Sequence, residues 1–347
     1  MVKIRSINPA TEEVNKEFET YSGKEITKIT QDVRRAFTVW RGLGVSERAG
    51  YLKMLSEVLS NRAEEYGRLI TIEMGKPIKQ SVAEVEKCAW TAEIYAENAA
   101  SWLKEEKVRA DGKQNLITFE PLGTVLSVMP WNFPFWQAMR FAIPALTAGN
   151  VSMLKHSNVV PMCALALEEV FREAGYPEGV FRTILTDHET VEELIASDYV
   201  QGVSITGSVG AGSTVAEVAG KSLKKTVLEL GGSDPFIVLG DADVSLACAN
   251  AVKGRTINAG QSCIAAKRFI VVRSVADEFT EKLVEMNRVL KMGDPLNPET
   301  EIGPLATRQQ VEQLEAQVQD AADKGAEILV GGSRVGEKGF FFAPTVL

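Results

Sequence analysis

The stretch Gly202-Val203-Ser204-Ile205-Thr206-Gly207-Ser208-Val209-Gly210-Ala211-Gly212 carries a clear indication of the fold. A run with strand character ends in a glycine-rich turn, and a helical pattern begins near Ser208. Backbone amides at a helix N-terminus, together with the positive end of the helix dipole, can bind a pyrophosphate. The spacing differs from G-x-G-x-x-G counted from the first glycine, so a purely structural turn explains the stretch about as well.

The same alternation of strand and helix extends to both sides of this stretch. Strands are predicted over 116–119, 125–128, 151–154, 202–205, 227–230, 236–239, 268–272 and 327–330. Helices are predicted over much of 30–105 and over 161–174, 208–219, 243–255, 276–290 and 307–323. This order predicts an α/β fold with a mainly parallel, doubly wound sheet. We expect a Rossmann-type domain over residues 1–230 and a second α/β domain over 231–347.

Composition narrows the classes of partner. The chain has 347 residues and a formal net charge of −8, which argues against nucleic acid as the main partner. No apolar run approaches the roughly 18 residues that span a bilayer. The first residues contain no apolar secretory segment, so we expect a cytoplasmic protein.

Metal-binding patterns are absent from the sequence. The cysteines at 88, 163, 248 and 263 form neither a close pair nor a zinc-ligand spacing. His156 and His188 are the only histidines, and both are expected to be surface or turn residues. We therefore expect no metal site, and an activated thiol would depend on a carboxylate and on backbone dipoles.

Three separated stretches carry side chains suited to covalent chemistry at a carbonyl. Cys263 lies in Asn258-Ala259-Gly260-Gln261-Ser262-Cys263-Ile264, Glu229 in Leu228-Glu229-Leu230-Gly231-Gly232, and Asn132 in Pro130-Trp131-Asn132-Phe133-Pro134. A thiol is a nucleophile, a carboxylate is a base, and a side-chain amide can donate to an oxyanion. The other cysteines occur in helical patterns, where packing is the simpler interpretation.

These motifs, with Lys155 and Thr206-Gly207-Ser208, occur in the order and spacing of the aldehyde dehydrogenase superfamily, which the whole chain resembles. The sequence is most similar to the NAD(P)-dependent succinate-semialdehyde dehydrogenases of bacteria and archaea, as Trp136-Gln137-Ala138-Met139-Arg140 illustrates. The resemblance implies that Cys263 forms a thiohemiacetal and then a thioester. It implies that Asn132 stabilises the oxyanion and that Glu229 activates the hydrolytic water.

The resemblance also implies positions for the ligands. A dinucleotide, NAD or NADP, would be bound by Trp131, Lys155, Asn158, Gly207, Ser208, Gly212 and Leu230. Asn158 stands where NAD-selective relatives often carry glutamate, so both cofactors are expected to be accepted. Arg140 would bind the distal carboxylate of the substrate, with an internal ion pair as the alternative, and Trp136 would line the substrate tunnel or simply pack. A second arginine that some relatives carry six positions before the nucleophile is Ile257 here.

Several alternatives remain open at this point. The substrate could be another small aldehyde such as lactaldehyde instead of succinate semialdehyde. The aldehyde dehydrogenase resemblance leads us to expect a chain that is incomplete at its C-terminus. An inactive, truncated homologue that only binds nucleotide is the rival interpretation. A β-hairpin over 108–128 is expected to mediate homo-oligomerisation, as a dimer or tetramer, of the full-length enzyme.

Overall fold

The computed structural model describes residues 2–347. Its strands are β1 (Lys3–Ile7), β2 (Val14–Glu19), β3 (Glu106–Val108), β4 (Asn115–Ile117), β5 (Thr124–Met129), β6 (Val151–His156), β7 (Phe181–Thr183), β8 (Gly202–Thr206), β9 (Lys225–Glu229), β10 (Pro235–Val238) and β11 (Arg268–Val271). Its helices are α1 (Gly23–Trp40), α2 (Val45–Asn61), α3 (Ala63–Met74), α4 (Ile78–Trp102), α5 (Pro134–Thr147), α6 (Pro161–Glu173), α7 (His188–Ala196), α8 (Val209–Lys221), α9 (Val244–Thr256), α10 (Arg273–Arg288) and α11 (Arg308–Asp323).

A five-stranded parallel sheet organises the first part of the chain. Its strand order is β7-β6-β5-β8-β9, and each neighbouring pair is parallel. Every residue of β6 is buried, as expected for a central parallel strand covered on both faces, and the buried set includes the polar Ser152, Lys155 and His156. The chain begins the sheet in the middle, builds outward to β7 and then returns to β8, which is the doubly wound order. The predicted α/β fold is confirmed.

The order of the strands reverses between β5 and β8, and ligands of open α/β sheets bind at the carboxyl ends of the strands beside such a reversal. The loop after β5 contains Asn132, and the loop after β8 contains Gly207 and Ser208. Two of the predicted functional loops therefore leave the sheet at its topological switch point.

A smaller α/β arrangement follows the sheet. Strands β10 and β11 pair in parallel, and α9 connects them as a crossover helix. Asp243 caps α9 by accepting a hydrogen bond from the Leu246 N–H at 3.0 Å, as expected from the sequence. A cluster of apolar residues, including the buried Cys248 and Phe279, packs α9 and α10 together.

Compact packing divides the chain into two units. The first comprises the segment ending at Arg5, together with Glu17–Tyr66 and Val82–Leu230. The second comprises Ser6–Lys16, Gly67–Ser81 and Gly231–Leu347. The second unit thus includes two N-terminal segments that the division predicted from sequence placed in the first domain. These segments pack with residues that are distant in sequence, and chain order does not reveal such packing.

Two sequence-based strand predictions need correction. The hairpin expected over 108–128 is formed by β3 and β4, whereas residues 124–128 belong to β5 of the parallel sheet. The strand expected over 327–330 is reduced to a single bridge between Val330 and Val346. Gly325 and Gly331 lie on either side of residues 327–330, and both have positive φ. Their left-handed backbone limits the length over which this segment can pair as a strand.

Candidate active site

Asn132 lies, half-buried, in the short loop between β5 and α5. The start of α5 is held by Glu84, a buried carboxylate on α4. One oxygen of Glu84 accepts hydrogen bonds from the backbone N–H groups of Phe135 and Trp136, both at 2.9 Å. A carboxylate is well placed there, because the first amides of a helix lack intrahelical acceptors and carry the positive end of its dipole.

His156 holds the same loop from the sheet side. Its Nδ1 accepts from the Ser157 N–H at 2.9 Å, so its Nε2 carries the proton and donates to the Pro134 carbonyl at 2.9 Å. Burial lowers the pKa of His156 to about 4, which keeps the ring neutral. The expectation of a surface or turn position was wrong for His156, which is 3% exposed at the end of β6, whereas His188 is exposed at the start of α7.

Glu84 and His156 are thus positioning residues that sequence reasoning missed. A carboxylate on an amphipathic helix ordinarily belongs to a solvated face, so no local pattern distinguishes Glu84. The position of His156 at the end of a predicted buried strand was the one available signal, because a strand buried on both faces leaves its last side chain little access to water.

Lys155 and Asn158 lie together at the carboxyl end of β6. The Lys155 ammonium is buried and donates to the His156 carbonyl at 2.8 Å and to the Asn158 side-chain oxygen at 3.2 Å. Burial lowers the pKa of Lys155 to about 8. Asn158 itself is exposed, so its amide is available to a ligand at this edge while its oxygen orients the lysine.

The glycine-rich turn after β8 begins α8. The Ser208 hydroxyl caps the helix by accepting from the Ala211 N–H at 3.2 Å. The Gly207 N–H donates to the Glu229 carbonyl at 3.0 Å, so this amide extends the sheet. Val209 and Gly210 are the first two residues of α8, so their N–H groups have no acceptor within the helix. Both residues are exposed, and an anionic group can accept hydrogen bonds from them.

Gly212 and Leu230, both expected near the cofactor, pack against each other. A Cβ atom on Gly212 would lie 2.4 Å from a methyl group of Leu230, far inside contact distance. The absence of a side chain at Gly212 therefore allows α8 to approach the end of β9. This packing explains the glycine without any phosphate contact.

Glu229 is the last residue of β9, and its carboxylate forms an ion pair with Arg140 of α5. The Arg140 Nη2 lies 2.9 Å from a carboxylate oxygen of Glu229, and the two side chains are 31% and 54% exposed. Both line a cavity of about 370 Å³ that also reaches Met129, Phe141 and Thr206. The internal ion pair weighed as an alternative for Arg140 is therefore present in the structure.

The tryptophans expected near the ligands have distinct surroundings. Trp131 is half-buried in the loop beside Asn132. Trp136, in the first turn of α5, packs its ring under the ammonium of Lys87, which lies 3.7 Å from the ring centroid. That cation–π contact accounts for Trp136 by packing, the second of the two roles considered for it.

Cys263 belongs to the second unit, where it occupies a half-buried turn between α9 and β11. The Lys267 ammonium donates to the Cys263 carbonyl at 3.0 Å. Cys88, Cys163 and Cys248 are buried, so Cys263 is the most accessible of the four thiols.

Arg255, at the end of α9, has a structural role near Cys263. The Arg255 guanidinium, whose pKa burial lowers, donates to the Gly260 carbonyl at 3.3 Å. It supports the turn that precedes Cys263. Ile257, at the position where some relatives carry an arginine, is 39% exposed.

The groups at the carboxyl edge of the large sheet fit a dinucleotide. A buried ammonium at Lys155, two exposed amides at the start of α8 and the polar side chain of Asn158 are donors suited to phosphate and ribose oxygens. Within residues 2–347, no group of three or more His, Cys, Asp or Glu side chains could hold a metal ion. None of the helices in that range has the length and apolarity needed to cross a membrane.

A Rossmann-type parallel sheet with such donors at its switch point defines a dinucleotide-binding α/β protein. The family model of the aldehyde dehydrogenases matches residues 2–347. The chain belongs to the aldehyde dehydrogenase family.

Several proteins to which this chain is similar are named succinate-semialdehyde dehydrogenase. A probable succinate-semialdehyde dehydrogenase [NADP(+)] of Synechocystis is 46% identical over 344 residues, which cover 99% of this chain and 76% of that protein. A succinate semialdehyde dehydrogenase [NAD(P)+] of Escherichia coli K12 is 44% identical and is covered to 74%. The structure of succinic semialdehyde dehydrogenase from Streptococcus pyogenes in complex with NADP+ matches with a TM-score of 0.96 at 35% identity, covering 99% of this chain and 75% of that one.

Proposed function

We propose that this protein oxidises succinate semialdehyde to succinate with NADP or NAD as oxidant. The observation that carries the proposal is the similarity along 99% of the chain, at 44–46% identity, to proteins named succinate-semialdehyde dehydrogenase. The chain also has the side chains that the reaction requires. Cys263, Glu229 and Asn132 stand at the positions expected of the family.

The proposed reaction begins at Cys263. Its thiolate attacks the aldehyde carbon, and the resulting oxyanion accepts hydrogen bonds from the Asn132 side-chain amide and the Cys263 backbone N–H. A dinucleotide held beside Lys155 and the start of α8 would supply the oxidant, as the acceptor of a hydride from that carbon, and a thioester would then remain on Cys263. Glu229 then takes a proton from water, the hydroxide adds to the thioester, and the thiolate leaves as the carboxylate product forms.

The fixed loop around Asn132 supports its role. Glu84 and His156 hold the start of α5 from two sides through three hydrogen bonds of 2.9 Å. A donor that is oriented in advance needs no reorganisation when negative charge develops on the substrate oxygen.

Arg140 is the proposed determinant of substrate choice. A guanidinium can bind a carboxylate through two parallel hydrogen bonds, and the distal carboxylate of succinate semialdehyde is such a group. Its present partner, Glu229, is a carboxylate in a partly exposed ion pair of the kind that contributes little stability. A substrate carboxylate can therefore compete for Arg140 at low cost.

The proposed cofactor site uses the edge already described. Lys155 and the exposed amides of Val209 and Gly210 would bind phosphate groups, and Asn158 would hydrogen-bond the adenosine ribose or its 2′-phosphate. Trp131, Gly207 and Ser208 would complete the surroundings of the dinucleotide. Gly212 and Leu230 would shape the site through their mutual packing instead of direct contact.

Three further proposals follow from the same family assignment. The chain up to Leu230, apart from Ser6–Lys16 and Gly67–Ser81, would form the cofactor domain, and the unit that contains Gly231–Leu347 would form the catalytic domain. The hairpin of β3 and β4, which exposes Val108, Leu116 and Ile117, would mediate homo-oligomerisation. A cytoplasmic location is supported by four cysteines that are thiols and not disulfides.

The proposal is tested by NAD(P)H formation with succinate semialdehyde, butanal and lactaldehyde, using the wild-type protein and Cys263→Ala. We expect the carboxylate-bearing aldehyde to give the highest kcat/KM and Cys263→Ala to abolish turnover with all three. Cys163→Ala is the matched control for loss of a thiol. A Cys263→Ala protein that still oxidises aldehydes would refute the mechanism. A higher kcat/KM for lactaldehyde than for succinate semialdehyde would refute the proposed substrate. A wild-type protein that binds NADP but oxidises none of them would favour the nucleotide-binding alternative.

A further inference from the structure

The turn before Cys263 has an unusual backbone. Asn258, Ala259 and Gly260 have φ values of 54°, 51° and 77°, three left-handed residues in succession. Asparagine and alanine adopt this conformation at a free-energy cost, and as a rule only singly. Such a run persists only where surrounding contacts hold it in place.

One holding contact comes from within the turn. The Gln261 side chain donates from Nε2 to the Asn258 carbonyl at 3.0 Å, and its Oε1 accepts from the Ala306 N–H at 3.0 Å. The Gln261 backbone N–H donates to the same Asn258 carbonyl at 3.0 Å. A single amide side chain thereby links the carbonyl of the first left-handed residue to the segment before α11.

A second contact comes from a distant part of the chain. The Gln80 Oε1 accepts a hydrogen bond from the Asn258 N–H at 2.8 Å, across 178 positions of sequence. Asn258 is fully buried, so water does not readily replace this acceptor. Gln80 itself is well anchored, because it lies in the first turn of α4, where the Ile78 N–H donates to the Pro295 carbonyl at 2.8 Å.

We infer that Gln80 is a positioning residue for Cys263, holding the left-handed turn through the Asn258 N–H so that the thiol is presented in one orientation. The inference rests on the proposed role of Cys263 as nucleophile. Covalent attack requires the reacting atoms to lie within a narrow range of distance and angle, so displacement of the turn lowers the rate of chemistry more than it weakens binding.

The test compares two near-isosteric changes. Gln80→Met keeps the length of the side chain and removes the acceptor, whereas Gln80→Glu keeps an oxygen that can accept from the Asn258 N–H. Lys79→Ala is the matched control, because Lys79 is an exposed neighbour whose ion pair with Glu299 lies on the surface. Gln80→Ala, which removes the acceptor together with the rest of the side chain beyond Cβ, is the second variant should Gln80→Met not fold.

Two measurements are made on the full chain. Hydrogen exchange of the peptide spanning 257–263 reports on the turn without any substrate, and steady-state kinetics give kcat and KM separately. For Gln80→Met we expect exchange in this peptide to rise about five-fold, the loss of one hydrogen bond. We expect kcat to fall by about 10-fold or more while KM stays within about two-fold. Gln80→Glu and Lys79→Ala should remain near the wild type in both measurements.

The opposing outcomes are distinct. Unchanged exchange in Gln80→Met would show that Gln80 does not hold the turn, and raised exchange with unchanged kcat would show that the turn does not govern the thiol. An equal loss of kcat in Gln80→Glu and Gln80→Met would also overturn the inference. If wild-type protein oxidises no aldehyde, the proposed function fails on that observation alone, and the exchange data still decide whether Gln80 holds the turn.

Discussion

The Arg140 guanidinium lies 2.9 Å from the Glu229 carboxylate, which joins the proposed substrate-binding residue to the proposed base. The pair connects the second turn of α5 to the carboxyl end of β9. An arginine engaged by an internal carboxylate can still bind a substrate carboxylate, provided that the exchange costs little. The partial exposure of both side chains meets this condition.

Replacing Arg140 should separate its two possible roles. If Arg140 binds the substrate carboxylate, Arg140→Gln will lower kcat/KM for succinate semialdehyde by about 10–150-fold, the range for a hydrogen bond to a charged group. Butanal, which lacks the carboxylate, should change by no more than about three-fold. Arg140→Lys retains the positive charge but not the planar guanidinium, so its kcat/KM for succinate semialdehyde should lie between the values for the wild type and Arg140→Gln. Equal losses with both aldehydes would instead assign Arg140 to orienting Glu229.

The Glu229→Gln variant should stop the reaction after its first half. Without the base, the thioester on Cys263 forms but is hydrolysed slowly, so steady-state turnover should fall by about 10²–10⁴-fold. Stopped-flow absorbance should show a burst of about one NADPH per active site before the slow phase. Glu217→Gln, an exposed carboxylate on α8, is the control and should behave as wild type. A Glu229→Gln protein without any burst would place the defect before thioester formation.

Asn158 should govern cofactor choice. Asn158→Glu introduces a carboxylate that repels the 2′-phosphate of NADP, and we expect kcat/KM for NADP to fall by about 10-fold or more while the value for NAD is largely retained. Asn158→Gln keeps a neutral amide oxygen as acceptor for Lys155 and serves as the control. Initial rates with each cofactor provide the measurement. Equal losses with NAD and NADP would contradict this role.

His156 should make the fold sensitive to acid. Burial lowers its pKa to about 4 from an ordinary value near 6.5, so the unfolded chain binds the proton at a higher pH than the folded one does. The free energy of unfolding should therefore fall as the pH drops from about 6.5 to about 4, by roughly 3 kcal/mol from this group.

Urea unfolding of His156→Gln at several pH values would measure that contribution. The glutamine amide offers both a donor and an acceptor, and the variant should lose less stability on acidification than wild type. His188→Gln changes the other, exposed histidine and should retain the wild-type pH dependence. Identical slopes for wild type and His156→Gln would contradict the assignment of a buried neutral ring.

Local pattern was sufficient for most of the secondary structure. The alternation of apolar strands and helical runs predicted the doubly wound sheet, and Asp243 identified the start of α9 because an N-cap acts within one turn. The errors fell where local pattern is ambiguous. Residues 125–128 suit a hairpin as well as a buried parallel strand, and only pairing with β6 and β8 decides between them.

Short motifs were enough to identify the chemical groups of this protein, namely a thiol, a carboxylate, an amide and a glycine turn. Which side chains come into contact became visible only in the folded chain. Arg140 with Glu229, Glu84 with the start of α5, and Gln80 with Asn258 are all contacts between distant segments. Their geometry depends on how helices and strands pack, and packing is a property of the whole fold that no short stretch of sequence encodes.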